Sequence, residues 1–370
     1  MGVFRTAENR HAELEELLRP LVKSATEKWN GRTGSLDTPK SDDRDAPEVK
    51  VVCVTNGLSY VGLAIVRCLL SRGYAVRVTV EAEGDMEKVR ETVGVSDEGE
   101  RDRVWAVEAS VMDASALSEA FHGCRGVFHT ASFADPSGLS GYSKHVAALE
   151  VQAATAVVEA CACTPSVSAC VMTSSLLACV WGRNDENTPD LVDEDRWSDE
   201  GRCRDDKLWY ALGKTMAEKA AWRAVSGREE NVRLATICPG LVTGPHFQIA
   251  NSTATIAYLK GAHEMYVRGL LATVDVEELA KAHVGVYEAM RRDRRRASGR
   301  YLCFNRTVNT RWEAEELETC VGLANRIIIS YEDHHIIGAD ELWRRFELSN
   351  GKLRRLLRSP ARCCNGGTLF

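Results

Sequence analysis

The stretch VVCVTNGLSYVG, residues 51–62, predicts a buried β-strand, a tight turn and the start of a helix. Its continuous apolar run is typical of a strand that is covered on both faces. Such a turn lets backbone N–H groups at a helix N-terminus bind the pyrophosphate of a dinucleotide. Asn56 and Ser59 stand where these turns usually carry glycine. Asparagine tolerates positive φ better than other non-glycine residues, so the turn is expected to form, either as a cofactor loop or as a purely structural turn.

Strand and helix patterns alternate along the following two hundred residues. The predicted strands are 50–55, 74–80, 103–109, 126–132, 167–175 and 232–240, and the predicted helices are 62–73, 116–124, 145–163 and 208–226. Apolar strands that alternate with helices predict an α/β fold with a doubly wound parallel sheet of the Rossmann, NAD(P)-binding type. A further strand at 298–305 and one or two helices at 339–358 are expected in a smaller C-terminal substrate-binding lobe, mainly 241–358.

Composition and charge narrow the possible partners and compartments. The net charge of −6 gives no reason to expect a nucleic-acid partner. We expect no apolar run to approach the roughly 20 residues that span a bilayer, and therefore no membrane partner. An acidic N-terminal segment argues against a signal or transit peptide and favours the cytoplasm. We predict an N-terminal helix and flexible linker in residues 1–49, the folded domain in 50–358 and a disordered tail in 359–370. We predict no metal site.

The segment WYALGK places Tyr210 and Lys214 four residues apart on one helix face. An ammonium group near a phenol lowers the pKa of the phenol, which suits proton donation to an alkoxide that forms during carbonyl reduction. The strand VMTSS, residues 171–175, ends in hydroxyls, so Ser174 or Ser175 could hydrogen-bond a substrate carbonyl. The alternative to a catalytic pair is that Lys214 is an ordinary surface lysine of an amphipathic helix.

Ten segments, in order, resemble the plant dihydroflavonol reductase and cinnamoyl-CoA reductase group of extended short-chain dehydrogenases/reductases. They are VCVTNGLSYVG, GYAVRVTV, AFHGCRGVFHTAS, VMTSS, DEDRWSD, KLWYALGKTMAEKAAW, CPGLVTGP, VDVEELAKAH, SGRYLCF and LSNGKL, covering about residues 51–357. The resemblance implies a catalytic triad of Ser175, Tyr210 and Lys214. It also implies hydride transfer from NADPH to an aromatic carbonyl or CoA thioester, with Tyr210 as the proton donor.

The resemblance further implies where the cofactor binds: the first turn, the ends of the second to fourth strands, the catalytic helix and the PGLV segment. The residues concerned are Thr55, Asn56, Gly57, Ser59, Tyr60, Val61, Gly62, Glu81, Lys88, Ser110, Val111, Thr130, Ala131, Ser132, Tyr210, Lys214, Pro239, Gly240, Leu241 and Val242.

Several positions depart from the pattern of the family. The family usually has an arginine that holds the NADP 2′-phosphate where this chain has Glu81. NADP is expected, and NAD is possible because of Glu81; Arg77 and Lys88 are the candidate compensating cations. Ser110 replaces an aspartate. The segment KLWYALGK differs from the KNWYCYGK of cinnamoyl-CoA reductases and resembles a divergent, defence-associated branch.

Two hypotheses follow from these residues. The first is an NAD(P)H-dependent reductase of a small aromatic molecule, linked through the resemblance to phenylpropanoid and lignin metabolism. The alternative is a catalytically weakened dinucleotide-fold protein that acts as a ligand-binding or scaffolding component in plant defence.

Overall fold

The computed structural model describes residues 50–81, 84–93, 102–130, 133, 142–182, 189–228, 231–245, 247, 252–292, 297–328 and 344–358. These residues belong to one compact unit that begins at Val49. The predicted N-terminal helix and linker and the predicted tail lie outside the described residues.

Strands and helices alternate along the chain. The strands are β1 Val51–Thr55, β2 Ala75–Val80, β3 Val104–Glu108, β4 Gly126–His129, β5 Ala169–Thr173, β6 Leu191–Val192, β7 Arg233–Pro239, β8 Leu241–Thr243, β9 Ala272–Asp275, β10 Gly299–Cys303, β11 Arg306–Thr307 and β12 Glu347–Leu348. The helices are α1 Tyr60–Ser71, α2 Gly84–Val93, α3 Ala114–Phe121, α4 Lys144–Cys163, α5 Leu177–Val180, α6 Glu200–Asp205, α7 Trp209–Val225, α8 Ser252–Tyr258, α9 Ala262–Val267, α10 Val276–Arg292, α11 Arg311–Val321 and α12 Gly351–Arg358.

Seven strands form one sheet in the order β10-β7-β5-β4-β1-β2-β3. Every neighbouring pair in it is parallel. The first strand, β1, lies inside the sheet. The strands β2 and β3 follow on one side of β1, and β4 lies next to β1 on the other side, so the strand order reverses there. Ligands of open α/β sheets bind beyond the carboxyl ends of the strands at such a reversal. The predicted doubly wound Rossmann fold is confirmed.

Alternation along the strands explains why helices cover both faces. Val52 and Val54 of β1 belong to the core that includes Leu69 of α1 and Tyr287 of α10. Cys53, between them, belongs to the opposite core with α3, α4 and α7. Successive side chains of a strand point to opposite faces, so an entirely apolar strand must be covered twice.

The C-terminal region contributes both to the main sheet and to a separate layer. β10 pairs with β7 at the edge of the sheet, and Tyr287 of α10 lies in one of the two main cores. The strands β8, β9 and β11 form a second sheet, and β6 pairs with β12. Around these, a third core contains Leu212 of α7, Tyr258 of α8 and Met265 of α9. Residues after 240 therefore both complete the sheet and form the wall beside its carboxyl edge.

Helix α4 differs from the expectation that no segment is long and apolar enough to span a membrane. By length and composition alone, α4 is long and apolar enough to cross a membrane, but half of its most apolar stretch is buried in the fold. Its alanines, valines and cysteines pack against the sheet and α7, and Glu150 within it forms a buried ion pair. A buried core helix can be as long and apolar as a membrane-spanning helix because both have apolar surroundings.

Candidate active site

The turn between β1 and α1 depends on two positions. Asn56 adopts φ 50°, the left-handed conformation that asparagine tolerates, and its N–H donates to Thr79 Oγ1 at 3.2 Å. A Cβ on Gly62 would lie 2.5 Å from the Asn56 carbonyl oxygen, so the helix start approaches the turn too closely for a side chain. Asn56 therefore makes the turn that glycine usually makes, while Gly62 is needed for close packing.

Ser59 has a different role from a glycine at the same position. It is the N-cap of α1, and its hydroxyl accepts from Gly62 N–H at 3.1 Å. The cap satisfies one helix N-terminal N–H group internally and leaves the hydroxyl proton to be donated to a ligand. Asn56, Ser59, Tyr60 and Val61 all line the same cavity. The helix N-terminus there suits the pyrophosphate of a dinucleotide.

We expect the double variant Asn56→Gly, Ser59→Gly to bind the nicotinamide cofactor about tenfold more tightly. A freed N–H that bonds a charged oxygen contributes about 1.5–3 kcal/mol, and 1.4 kcal/mol is about tenfold. Calorimetric titration measures the dissociation constant. Ser59→Ala is the matched comparison because it frees the same Gly62 N–H but keeps the Cβ, at a cost of about 1 kcal/mol of stability. Equal tightening in Ser59→Ala and in the double variant would assign the whole effect to the freed N–H. Unchanged affinity in the double variant would show that the loop does not contact the cofactor.

The cavity has a volume of about 290 Å³ and lies at the carboxyl ends of the central strands. It brings together residues that are distant in sequence, from the β1–α1 turn to the segment after β7. Its lining consists of Asn56, Ser59, Tyr60, Val61, Thr130, Phe133, Thr173, Ser174, Ser175, Tyr210, Lys214, Pro239, Gly240, Leu241, Val242, Phe247, Ala254, Thr255 and Tyr258. All three residues of the predicted triad are among them.

Tyr210 and Lys214 lie one turn apart on α7. Lys214 Nζ lies 5.6 Å from the centroid of the Tyr210 ring and donates to Glu150 Oε2 at 2.9 Å. Burial by itself lowers the pKa of Lys214, but the Glu150 carboxylate and Tyr210 more than offset this, so the pKa lies above its ordinary value. Lys214 is thus a buried, charged group beside the phenol, as the spacing indicated.

The two candidate serines make different hydrogen bonds. Ser174 Oγ donates to the buried Glu218 Oε2 at 2.7 Å, so its proton is already used inside the protein. Ser175 Oγ accepts from Leu177 N–H at 3.2 Å, which leaves its proton for a ligand in the cavity. The hydrogen bonding favours Ser175 as the substrate-binding hydroxyl.

The ends of β1 and β4 are joined by side-chain hydrogen bonds. Thr130 Oγ1 donates to the Thr55 carbonyl at 2.6 Å, and Thr130 N–H donates to Thr55 Oγ1 at 3.2 Å. His129 Nδ1 lies 2.9 Å from the same Thr55 hydroxyl. Burial lowers the pKa of His129 to about 4, so this ring is neutral at physiological pH. Thr55 therefore supports the floor of the crevice, and Thr130 is the member of this group that lines the cavity.

Other predicted cofactor residues that the structure describes are not part of the cavity lining. Glu81 and Ser110 follow β2 and β3, Val111 is buried beside Ser110, and Lys88 is exposed on α2. Gly57 packs against Val78, where a Cβ would lie 2.7 Å from that side chain. Ala131 and Ser132 lie outside the described residues.

Arg77 cannot compensate for the missing arginine, contrary to expectation. Its guanidinium donates to the carbonyls of Ala120 at 2.6 Å and His122 at 2.9 Å. It also lies over the Trp105 ring, 5.6 Å from its centroid. Arg77 is in the middle of β2 and satisfies the C-terminal carbonyls of α3, so it does not reach the strand end.

Six lining residues were not among the predicted site residues: Thr173, Phe133, Phe247, Ala254, Thr255 and Tyr258. Thr173 precedes the two predicted serines, and its position at the end of β5 could have indicated that it lines the cavity. Phe247 packs edge-on against Tyr60 at 5.9 Å. Tyr258 is 4% exposed, yet nothing in its local sequence indicates that α8 faces the cavity. Aromatic side chains thus form part of the cavity wall.

Comparison with known sequences identifies the family. Residues 53–315 match the 3-beta hydroxysteroid dehydrogenase/isomerase family. The chain is 36% identical over 267 residues to cinnamoyl-CoA reductase 1 of Petunia hybrida, covering 69% of this chain and 72% of the relative. It is 37% identical over 267 residues to cinnamoyl-CoA reductase 1 of Arabidopsis thaliana, covering 70% and 72%.

Solved structures support the fold. Vestitone reductase from alfalfa superposes with a TM-score of 0.56 at 24% identity, covering 83% of this chain and 91% of that one. Yeast methylglyoxal/isovaleraldehyde reductase Gre2, complexed with NADPH, gives a TM-score of 0.60 at 19% identity, covering 83% and 92%. Together with the sequence matches and the cavity, these show that the chain belongs to the 3-beta hydroxysteroid dehydrogenase/isomerase family, within the extended short-chain dehydrogenases/reductases, as a cinnamoyl-CoA reductase-like NAD(P)-dependent oxidoreductase.

Proposed function

We propose that this protein reduces an aromatic CoA thioester or a related aromatic carbonyl, with Tyr210 as the proton donor. The observation that carries the proposal is that Ser175, Tyr210 and Lys214 line one cavity together with the β1–α1 turn. A nicotinamide dinucleotide supplies the hydride when it is bound. The residues that would hold it are those of the turn, Thr130 and the segment Pro239–Val242.

Each member of the triad has a defined role in this proposal. The Ser175 hydroxyl donates a hydrogen bond to the substrate carbonyl oxygen and orients it. The Tyr210 phenol transfers its proton to that oxygen as the carbonyl carbon is reduced. The Lys214 ammonium stabilises the phenolate that remains. With a thioester the product of this step is a hemithioacetal, which collapses to an aldehyde and the free thiol.

The wall of the cavity supports an aromatic substrate. Phe133, Phe247 and Tyr258 provide aromatic surface beside Tyr210, and aromatic rings favour edge-to-face and offset stacking with one another. Relatives named for cinnamoyl-CoA reduction and, at 29% identity, for dihydroflavonol reduction point to the same class of substrate.

The purified full-length chain tests the proposal directly. NADPH oxidation should be measured with feruloyl-CoA, cinnamoyl-CoA, a dihydroflavonol and an aliphatic acyl-CoA. Turnover with the aromatic thioesters and formation of the matching aldehyde are expected. Turnover of the aliphatic thioester at an equal rate would contradict the proposed substrate class, and no NADPH oxidation with any of them would contradict the reaction.

We further propose NADP as the cofactor, with a preference over NAD that Glu81 weakens. Glu81 is exposed at the end of β2, where a carboxylate repels a 2′-phosphate. Glu81→Arg should raise the ratio of kcat/KM for NADPH to that for NADH about tenfold, equivalent to about 1.4 kcal/mol. Glu119→Arg, the same charge change at an exposed position of α3, is the control and should leave the ratio unchanged. An unchanged ratio in Glu81→Arg would place the 2′-phosphate elsewhere.

The scaffolding alternative is not favoured. The altered turn retains its geometry through Asn56, and the triad residues share one cavity. Relatives at 36% and 37% identity are named as reductases.

A further inference from the structure

A buried carboxylate lies directly against the lysine of the proton-donating pair. Glu150 Oε2 accepts from Lys214 Nζ at 2.9 Å, and both side chains are only 4% exposed. Glu150 Oε1 accepts from the Phe133 N–H at 3.0 Å. A buried carboxylate remains ionised when a cation and a backbone donor compensate for its lost hydration. The triad therefore has a fourth, oppositely charged neighbour.

Close packing of two helices brings Glu150 to this position. A Cβ on Gly213 would lie 3.0 Å from Ala147 Cα, so the glycine lets α4 and α7 approach each other. Glu150 lies three residues after Ala147 and therefore on the same helix face. Lys214 is the next residue after Gly213. The small residues at the crossing thus allow Glu150 and Lys214 to meet.

The charge of Glu150 opposes the effect of Lys214 on Tyr210. At about 6 Å and an effective dielectric constant of about 20, a unit charge shifts the pKa of a neighbouring group by about two pH units. A lone ammonium at the observed 5.6 Å from the ring centroid would therefore favour the phenolate strongly. An equal and opposite charge hydrogen-bonded to Nζ cancels much of that field.

Three further ionisable side chains that the structure describes near the pair are neutral at physiological pH. Burial lowers the pKa of His129 to about 4. Burial raises the pKa of Tyr142 and of Tyr258, so both remain phenols. The described groups facing the pair come from β4, the segment before α4, α4 itself and α8: His129, Tyr142, Glu150 and Tyr258. Among these, Glu150 is the anion.

We propose that Glu150 is a positioning residue that fixes Lys214 and offsets its charge, so that Tyr210 and Lys214 stay in the phenol–ammonium form to a higher pH. In this form the pair can donate one proton to the alkoxide oxygen, and loss of one proton at alkaline pH ends that ability. The inference deepens the proposed function and rests on it for one of its two readouts.

The test compares wild type, Glu150→Gln and Glu159→Gln. The first substitution removes the charge but keeps the shape and an acceptor for the Phe133 N–H; the second makes the same change at an exposed position of α4. The first readout is the alkaline limb of kcat/KM for reduction of the best substrate by NADPH. The second readout needs no substrate and follows the titration of each group. Phenolate absorbance, taken as the difference from Tyr210→Phe, reports Tyr210. Isotope-edited NMR of the lysine side chains, assigned with Lys214→Met, reports Lys214.

In Glu150→Gln we expect the first proton of the pair to be lost at least about one pH unit lower than in wild type. Glu159→Gln should match wild type. Equal midpoints in wild type and Glu150→Gln would overturn the proposal. Should Glu150→Gln not fold, the wild-type titration still decides: both protons should be retained to about pH 10, and loss of either proton below that pH would overturn the inference. Absence of turnover would contradict the proposed function but leave the titration interpretable.

Discussion

Tyr210→Phe should lower kcat for carbonyl reduction by about 10²–10⁴-fold, the usual contribution of a positioned general acid. Phenylalanine cannot donate the proton that the alkoxide oxygen needs, although hydride transfer and binding keep their other contacts. The ring is expected to remain in place because its packing does not depend on the hydroxyl: Tyr142 contacts it edge-on, with centroids 4.9 Å apart.

Steady-state kinetics and cofactor titration together test this expectation. The dissociation constant for NADPH and the thermal midpoint should stay near their wild-type values, so that the loss appears in kcat. Tyr74→Phe is a suitable control because Tyr74 packs against Tyr287, at 5.9 Å between centroids, in the core on the α1 and α10 face of the sheet. Turnover in Tyr210→Phe that remains within about threefold of wild type would contradict the assignment of Tyr210 as proton donor.

Arg300→Met should lower the free energy of unfolding by about 3–5 kcal/mol, because it leaves a buried carboxylate without its cation. Arg300 Nε donates to Glu218 Oε1 at 2.7 Å, and Glu218 is fully buried. The same guanidinium donates to the carbonyls of Glu194 and Arg196 at 2.8 and 2.7 Å. It also lies over the Trp197 ring at 3.5 Å. One side chain therefore joins β10, α7 and the segment before α6.

Urea unfolding followed by circular dichroism measures the loss. Arg306→Met is the matched control: Arg306 pairs with Glu316, but both side chains are about half exposed, at 50% and 46%. Exposed ion pairs contribute about 0–1 kcal/mol, so this variant should unfold almost like wild type. Equal losses in the two variants would show that the buried network does not hold these elements together. The double variant Arg300→Met, Glu218→Met should recover part of the loss, because no unpaired charge remains.

The same network has a consequence for the active site. Glu218 also accepts from Ser174 Oγ at 2.7 Å and from Thr236 Oγ1 at 2.5 Å. It lies four residues after Lys214 on α7, so one helix face carries the proton donor, its lysine and a structural carboxylate. Both serines line the cavity, but the Ser174 hydroxyl donates its proton to Glu218, whereas the Ser175 hydroxyl accepts from Leu177 N–H.

The local sequence was sufficient to predict features that depend only on residues near one another in the chain. Apolar strands that alternate with amphipathic helices predict the parallel sheet because side-chain periodicity is a property of each element alone. The spacing of Tyr210 and Lys214 fixes their proximity because residues four apart in a helix lie on one face. Asn56 makes the left-handed turn for a reason that is contained in its own side chain.

Contacts between distant segments required the tertiary structure. Glu150 meets Lys214 from 64 residues away, and this depends on how closely Gly213 lets two helices pack. Arg77 was only a candidate for replacing the missing arginine, and its place within β2 directs it to the carbonyls at the end of α3. Tyr258 reaches the cavity because α8 packs beside α7. The sequence by itself determined the sheet, the turn and the helical tyrosine–lysine pair, since these follow from local periodicity and backbone preference. Only the tertiary structure decided which serine donates its proton inside the protein and which charge lies against the lysine, because contacts between elements do not follow from the residue spacing within either element.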